Sequence, residues 1–329
     1  MIKLNRKVVV KMKKICVVMV TFNRKEYLKK LLNSFSKQTI KISNILIVDN
    51  HSNDGTDDFL FNNDFIKEKK ECKLLNTKKD SVNYLYYRTK ENLGGAGGFN
   101  QAFKIVKKLD FDYIWVMDDD VLPENNCLEM LLKYQTDDTM ITIPNRTKNG
   151  FIDVITTNIN LSNPFKIFMK KKTSILATSI SDNETVDICD MPFEGPLINV
   201  ELIKKVGLPD SKYFLQFDDT DYATRALKYT NIKFVVNAIL EKQIIVPLDR
   251  DKEKLMNWKD YYAYRNDILY CRKYGKNFLV KNITPILLWI DLTLRAVYRR
   301  KFKNFKVINK AFIDGYKSNT GRTVNPGEF

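Results

Sequence analysis

Between Lys14 and Met117 the chain alternates short β-branched apolar runs with segments of helical period. Lys14-Ile15-Cys16-Val17-Val18-Met19-Val20 reads as a buried strand, and Arg24 to Gln38 then sets Tyr27, Leu28, Leu31, Leu32 and Phe35 on one helical face. Ile45-Leu46-Ile47-Val48 returns as a second buried strand ending at Asp49. A third strand candidate runs from Val82 to Tyr87. After the cluster Gly94-Gly95-Ala96-Gly97-Gly98, the positions Phe99, Ala102, Phe103, Val106 and Leu109 mark a helix that leads into Tyr113-Ile114-Trp115-Val116-Met117. This alternation predicts an α/β fold, with a mostly parallel sheet and helices on both faces. Such sheets collect ligands at the carboxyl ends of their strands, where Asp49 and Asp118-Asp119-Asp120 both fall.

Three adjacent carboxylates at the end of a buried strand repel one another unless a cation sits among them. Hard divalent cations prefer oxygen ligands, so the triplet suits a metal that holds phosphate oxygens. With 329 residues and 44% hydrophobic content the chain can fill one large domain with a smaller appendage. Its five cysteines are scattered and never form a C-x-x-C pair, which supports neither a disulfide framework nor a zinc knuckle and suggests a reducing, cytoplasmic setting. The run Ile15 to Val20 is too short for a signal-peptide core or a membrane span. Lys281, Asp291 and Arg295 interrupt Phe278 to Tyr298, which favours a buried or interfacial amphipathic helix over a spanning one.

The formal charge is +16, and from Lys252 onward 17 Lys/Arg stand against six Asp/Glu. A basic region of this kind suits nucleic acid, anionic lipid, a polyanionic substrate or plain solvent. A nucleic-acid-binding protein accounts for the charge but leaves the acidic triplet unexplained, since acids repel phosphates unless a metal intervenes. A sugar-phosphate nucleotidyltransferase wants its glycine-rich loop and activating lysine directly after the first strand, where this chain has Thr21-Phe22-Asn23-Arg24.

The segment Val18-Met19-Val20-Thr21-Phe22-Asn23-Arg24, followed by Ile47-Val48-Asp49-Asn50-His51-Ser52-Asn53-Asp54-Gly55-Thr56, resembles the nucleotide-sugar-binding half of family 2 glycosyltransferases. The resemblance implies a GT-A fold, a Rossmann-like sheet flanked by helices, with a C-terminal helical appendage. It also implies that Thr21 and Asp49 contact nucleobase and ribose, with Asn23, Arg24 and Asn50 beside them. Asp118 and Asp119 then belong to the donor site. Asp120 and Asp118 hold a divalent cation, Mg or Mn, with Glu241 in place of a histidine that many relatives supply and this chain lacks; Lys242 is the alternative, as a counter-charge to the diphosphate. Glu91 to Asn100 resembles the glycine loop of galactofuranosyl- and rhamnosyltransferase-like members, and glycine permits close backbone approach before a helix N-terminus. Gly94, Gly95, Gly97, Gly98 and Asn100 are therefore expected donor contacts.

Farther along, Gly207-Leu208-Pro209 and Tyr213 to Arg225 resemble the family's acceptor side. Inversion at an anomeric carbon needs a carboxylate that takes the acceptor proton. Asp219 is the expected base and Asp218 the fallback, while Asp221 is expected to pair with Arg225 at helical (i, i+4) spacing. Glu194 and Gly195 are placed on the acceptor side. Trp258-Lys259-Asp260-Tyr261-Tyr262-Ala263-Tyr264-Arg265-Asn266 resembles a helical element that follows the catalytic domain in galactofuranosyltransferase-like enzymes, making Tyr262 and Arg265 candidate acceptor contacts. The expected layout is a basic lead-in over 1–13, a catalytic domain over 14–250 and a helical, basic region over 251–329. The expected activity is inverting transfer from a nucleotide-sugar donor, UDP-galactofuranose first and dTDP-rhamnose second, to a lipid-linked glycan precursor in cell-surface polysaccharide biosynthesis. That work is expected at the anionic inner face of the membrane, with no nucleic-acid partner.

Overall fold

The computed structural model describes residues 13–147, 152–181, 184–244 and 255–329. The basic lead-in, but for Lys13, and the expected boundary near residue 250 lie outside the described residues. In chain order the first half holds β1 (Ile15–Thr21), α1 (Lys25–Phe35), β2 (Asn44–Asp49), α2 (Thr56–Asn62), β3 (Leu75–Lys79), β4 (Val82–Arg88), α3 (Gly94–Val106), β5 (Tyr113–Asp118), β6 (Val121–Pro123) and α4 (Cys127–Lys133). There follow β7 (Ile141–Thr147), β8 (Val154–Ile159), β9 (Lys172–Leu176), β10 (Thr185–Ile188), β11 (Leu197–Asn199), α5 (Val200–Val206), α6 (Asp218–Ala226) and β12 (Ile232–Lys242). Three helices close the chain: α7 (Trp258–Tyr274), α8 (Phe278–Tyr298) and α9 (Asn304–Tyr316).

The large sheet runs β10-β12-β7-β11-β5-β1-β2-β4-β3, with β6 paired to β12. Its centre, β5-β1-β2-β4, is parallel. Beyond it the sheet is mixed: β11 lies antiparallel to both β5 and β7, β12 is parallel to β7, and β3 and β10 are antiparallel edges. The expectation of a mostly parallel sheet thus holds for the half that the strand-helix alternation covers. In the other half, strands that are neighbours in the sheet are distant in the chain, and β12 reaches its parallel place beside β7 only after α5 and α6.

The pattern of β1 follows from its place. All seven residues are buried, because helices cover both faces of a parallel centre and no side of the strand meets water. On one face Val18 and Val20 pack with Phe99, Phe103 and Val106 of α3 and with Tyr222 and Ala223 of α6. On the other, Val17 and Met19 pack with Leu28, Leu31 and Phe35 of α1 and with Leu128 and Leu131 of α4. Trp115, fully buried on β5, donates its Nε1–H to the Gly195 carbonyl at 2.9 Å, which satisfies the one polar atom of the indole. Residues 145–185, whose sequence pattern is weak, contain the β8–β9 hairpin beside the sheet. The closing helices pack on one another through Ile268, Leu288, Leu292, Ala296 and Ile308.

Candidate active site

β1, β2 and β5 end side by side at Thr21, Asp49 and Asp118, because Thr21 is in register with Asp49 and Val20 with Asp118. Thr21 Oγ1 donates to Asp119 Oδ2 at 2.8 Å. The Arg24 guanidinium lies between two acids of the triplet, 2.9 Å from Asp119 Oδ1 and 3.0 Å from Asp120 Oδ2. Asp118 is the least buried of the three. Burial first, then the charges of Asp119, Asp120 and Glu194, hold Asp118 well above the usual carboxylate range. Burial likewise pushes Asp119 up to about 6 against the pull of Arg24.

Several expected donor contacts are occupied by the protein itself. Asp49 is fully buried and accepts from the Ser52 amide at 2.8 Å, the Tyr86 hydroxyl at 2.8 Å and Arg88 at 2.9 Å. Asn50, also buried, donates to Asn92 Oδ1 and the Gly94 carbonyl, both at 3.0 Å, and accepts from the Leu93 amide at 3.0 Å. These two side chains therefore shape the loops around the strand ends instead of presenting free atoms to a ligand. Asn23, at φ 54°, accepts from the Asn53 amide at 2.7 Å and so joins the loops after β1 and β2.

The glycine cluster is likewise used for packing. A Cβ on Gly94, at φ +73°, would lie 2.0 Å from the Phe214 carbonyl oxygen, one on Gly97 would lie 2.5 Å from Leu93, and one on Gly98 would lie 2.5 Å from Val20. Only at Gly95 does an added Cβ meet nothing within 4 Å. Three of the four expected donor glycines are thus explained by protein approaching protein. Asn100 follows the same rule, donating to the Pro209 carbonyl at 2.7 Å.

The Phe214 carbonyl belongs to a strained segment. Phe214, Gln216 and Phe217 have φ of 62°, 67° and 69°, a region that non-glycine residues adopt at a cost of order 1–3 kcal/mol each. This segment delivers Asp218 and Asp219 at the start of α6. It is held from α7: Asn266 Nδ2 donates to the carbonyls of Tyr213, Leu215 and Gln216 at 3.0, 2.8 and 3.0 Å, and Arg265 donates to the Tyr213 carbonyl at 2.7 Å. Both side chains are fully buried.

Arg265 also donates to the Gly321 carbonyl at 2.7 Å, and Tyr262, equally buried, donates to the Val324 carbonyl at 2.8 Å. The expectation that Tyr262 and Arg265 touch an acceptor is therefore corrected: they lock the Asp219 loop and the C-terminal segment to α7. Gly195, at φ +90°, is likewise structural, since a Cβ there would lie 2.5 Å from Pro144.

Asp219 is half-buried at this loop's end. Burial first and the charge of Asp190 second push it up to about 7, against the Thr220 amide and Lys172. Asp218 is more deeply buried and is held well above the carboxylate range by desolvation and by Asp219. Glu194 lies between the two acidic groups and raises both Asp118 and Asp219 electrostatically. Burial pushes Glu194 up as well, but Arg146 and Lys242, 2.8 and 2.7 Å away, outweigh it and hold Glu194 below its ordinary value. Glu194 is therefore within electrostatic reach of both the triplet, which closes β5, and Asp219, which opens α6.

Asp221 pairs with Arg225 at 2.8 Å as its spacing predicts, and Lys273 and the Tyr274 hydroxyl join it at 2.6 and 2.7 Å. Lys172 and Asp190, which sequence reasoning passed over, meet in an ion pair. Lys172 closes a run of three lysines, and its neighbour Lys171 is buried against Asp267 at 2.5 Å.

The triplet suits a divalent cation. Asp120 Oδ1 is buried with no hydrogen-bond partner, an orphan acceptor that a cation would satisfy. Among the described residues no three acidic, imidazole or thiol side chains converge as a metal site. That agrees with the habit of Mg and its analogues, which take one or two carboxylates and complete their shell with phosphate and water. Glu241 leaves the expected set. It is exposed, and alternate strand residues point to opposite faces, so with Lys242 turned toward Glu194 it turns away. The one histidine, His51, lies 3.1 Å from the Thr89 carbonyl and 3.3 Å from Glu71, within the loop after β2.

Comparison with known proteins gives the family and the fold. The model of glycosyl transferase family 2 matches residues 16–186. The chain belongs to glycosyltransferase family 2. Galactofuranosyltransferase GlfT1 of Mycolicibacterium smegmatis is 24% identical over 222 residues, which span 65% of this chain and 65% of that one. GlfT1 of Mycobacterium tuberculosis (strain CDC 1551 / Oshkosh) is 22% identical over 319 residues, 86% of this chain and 95% of that one. Among solved structures, the mannosyltransferase PcManGT from Pyrobaculum calidifontis, in complex with GDP-Man and Mn2+, superposes with a TM-score of 0.54 at 12% identity, covering 93% of this chain and 88% of that one. S. aureus TarS 1-349 in complex with UDP-GlcNAc gives 0.50 at 14% identity, over 92% and 81%. This family 2 glycosyltransferase therefore has the GT-A fold that its motifs imply, with helices added at the C-terminal end.

Proposed function

We propose that the protein is an inverting, metal-assisted transferase that moves galactofuranose from UDP-galactofuranose to a hydroxyl of a lipid-linked glycan precursor. The observation that carries this reading is the orphan Asp120 Oδ1 at the end of β5, with Asp219 half-buried at the start of α6 and Glu194 within electrostatic reach of both groups. The choice of sugar is supported by the two galactofuranosyltransferase relatives.

Asp219 accepts the acceptor proton as the new oxygen–carbon bond forms at the anomeric carbon and the bond to the diphosphate breaks on the opposite face. It suits this role better than Asp218, because it is less buried and is poised near neutrality. Asp118 and Asp120 would hold the cation, and when bound it supplies Lewis-acid stabilisation of the departing diphosphate. Arg24 pairs with Asp119 and Asp120, and Lys242 with Glu194, as positive groups beside these acids. Gly95 is the one glycine of the cluster with open space in front of its α-carbon.

The test is a donor screen by mass spectrometry with UDP-galactofuranose, dTDP-rhamnose, UDP-galactose and UDP-glucose, each with and without EDTA. Turnover of UDP-galactofuranose alone, abolished by EDTA, is expected. Turnover of dTDP-rhamnose instead would overturn the sugar assignment, and full activity in EDTA would overturn the metal.

A further inference from the structure

α8 carries two apolar stripes where a helix in a globular protein usually carries one. Val280, Thr284, Leu288, Leu292 and Ala296 face the protein and are buried, Leu288, Leu292 and Ala296 against α7 and α9. At the same four- and three-residue spacing, Leu279, Ile283, Ile286, Ile290, Leu294 and Val297 form a second stripe on the opposite side. Leu279, Ile290, Leu294 and Val297 are exposed, Leu294 to 63%. This stripe is continuous for about 27 Å at 1.5 Å per residue. It ends in the α8–α9 turn, where Arg299, Arg300, Lys301 and Lys303 surround Phe302, itself 59% exposed.

We propose that this outer side of α8 is a docking face for an anionic lipid bilayer. An apolar ridge that ends in clustered cations has the composition of a helix lying in the headgroup region: the stripe enters the acyl boundary, and the basic turn meets acidic headgroups. Among the described residues no helix is long and apolar enough to cross a membrane, so the helix lies on the bilayer. The charge distribution selects a lipid surface over a second copy of this chain, because two copies meeting through this face would bring their basic turns together or leave them idle. The inference deepens the lipid-linked acceptor reading and rests on it for its purpose, since docking here would bring the site to a substrate confined to the membrane.

The test is co-sedimentation of the full chain with vesicles of phosphatidylcholine and phosphatidylglycerol in equal parts, with no nucleotide sugar present. The wild type should bind these vesicles, bind pure phosphatidylcholine vesicles more weakly, and lose binding as salt rises. The double variant Ile290→Glu and Leu294→Glu should weaken binding at least about tenfold, because each loses the burial of a large side chain. Arg299→Gln with Arg300→Gln should weaken binding to the acidic vesicles alone. All four side chains are exposed, so both variants should melt with the wild type and should transfer to a water-soluble acceptor at the wild-type rate. Wild-type protein that ignores acidic vesicles, or an Ile290/Leu294 variant that binds them unchanged, overturns the proposal. So does a dimer in solution that only this variant dissociates. Vesicle binding without donor turnover would instead sink the transferase reading and leave the docking face standing.

Discussion

Asp219 stands in a compromise between stability and reactivity. Burial and Asp190 push it up to about 7, so the folded protein prefers it protonated, whereas a base must be ionised. The two consequences have opposite signs. Turnover at saturating substrate should rise with pH through about 7 and level above it, as the acidic limb of the rate profile. The stability contributed at this position should fall as pH rises from about 4 to about 7 and level above, because the unfolded chain releases this proton first. Asp219→Asn removes that buried charge and should raise the melting temperature at pH 8 relative to the wild type, read by calorimetry. Asp120 behaves differently, because its Oδ1 is already without a partner. Asp120→Ala should abolish the gain in donor affinity on adding Mg or Mn, measured by titration calorimetry, while Arg24 keeps Asp119 as its remaining partner.

At the level of elements, the left-handed segment before α6 is the part whose geometry most depends on distant residues. Its carbonyls are gathered by Asn266 and Arg265 from one side, and on the other the Ala96 amide reaches the Phe214 carbonyl at 3.1 Å because Gly94 leaves room for it. Asn266→Ala strands the Leu215 and Gln216 carbonyls, while that of Tyr213 keeps Arg265, and should cost about 2–3 kcal/mol of stability. It should also lower kcat more than it changes donor affinity, since the loop carries Asp219 and not the triplet. Gly94→Ala should be at least as damaging, because the new Cβ meets backbone at a positive φ. Expression yield and kcat together check both.

These links explain which parts of the site were legible in the sequence. The Asp221–Arg225 pair could be read because it depends on neighbours along one helix. The same holds for the parallel centre of the sheet, where β1, β2 and β5 follow the apolar runs. Arg265, Tyr262 and Gly98 resembled ligand contacts, and only the fold shows that their partners are Tyr213, Val324 and Val20. Lys171 was illegible for the same reason: a lysine run looks solvated until a helix far along the chain, here α7 with Asp267, provides a buried partner. Glu241 was misread by one residue of strand alternation, which turns it to the side opposite Lys242 and its partner Glu194.

On the scale of the molecule, the added helices are tied to the loop that carries Asp219. Arg265 bonds the carbonyls of both Tyr213 and Gly321, and Phe214 packs with Tyr261, Tyr262 and Val324, so the last residues of the chain brace the loop that presents Asp219, the proposed base. Deleting 321–329 should therefore cost about 2–4 kcal/mol and lower the melting temperature by several degrees. Heating the intact chain should give one transition, since the bracing couples the helices to the sheet. The account as a whole rests on two acidic groups dividing the work. The most direct test is to measure donor binding and sugar transfer side by side in Asp219→Asn. UDP-galactofuranose should bind within about twofold of the wild type while transfer falls about a hundredfold or more; transfer at the wild-type rate would contradict the account.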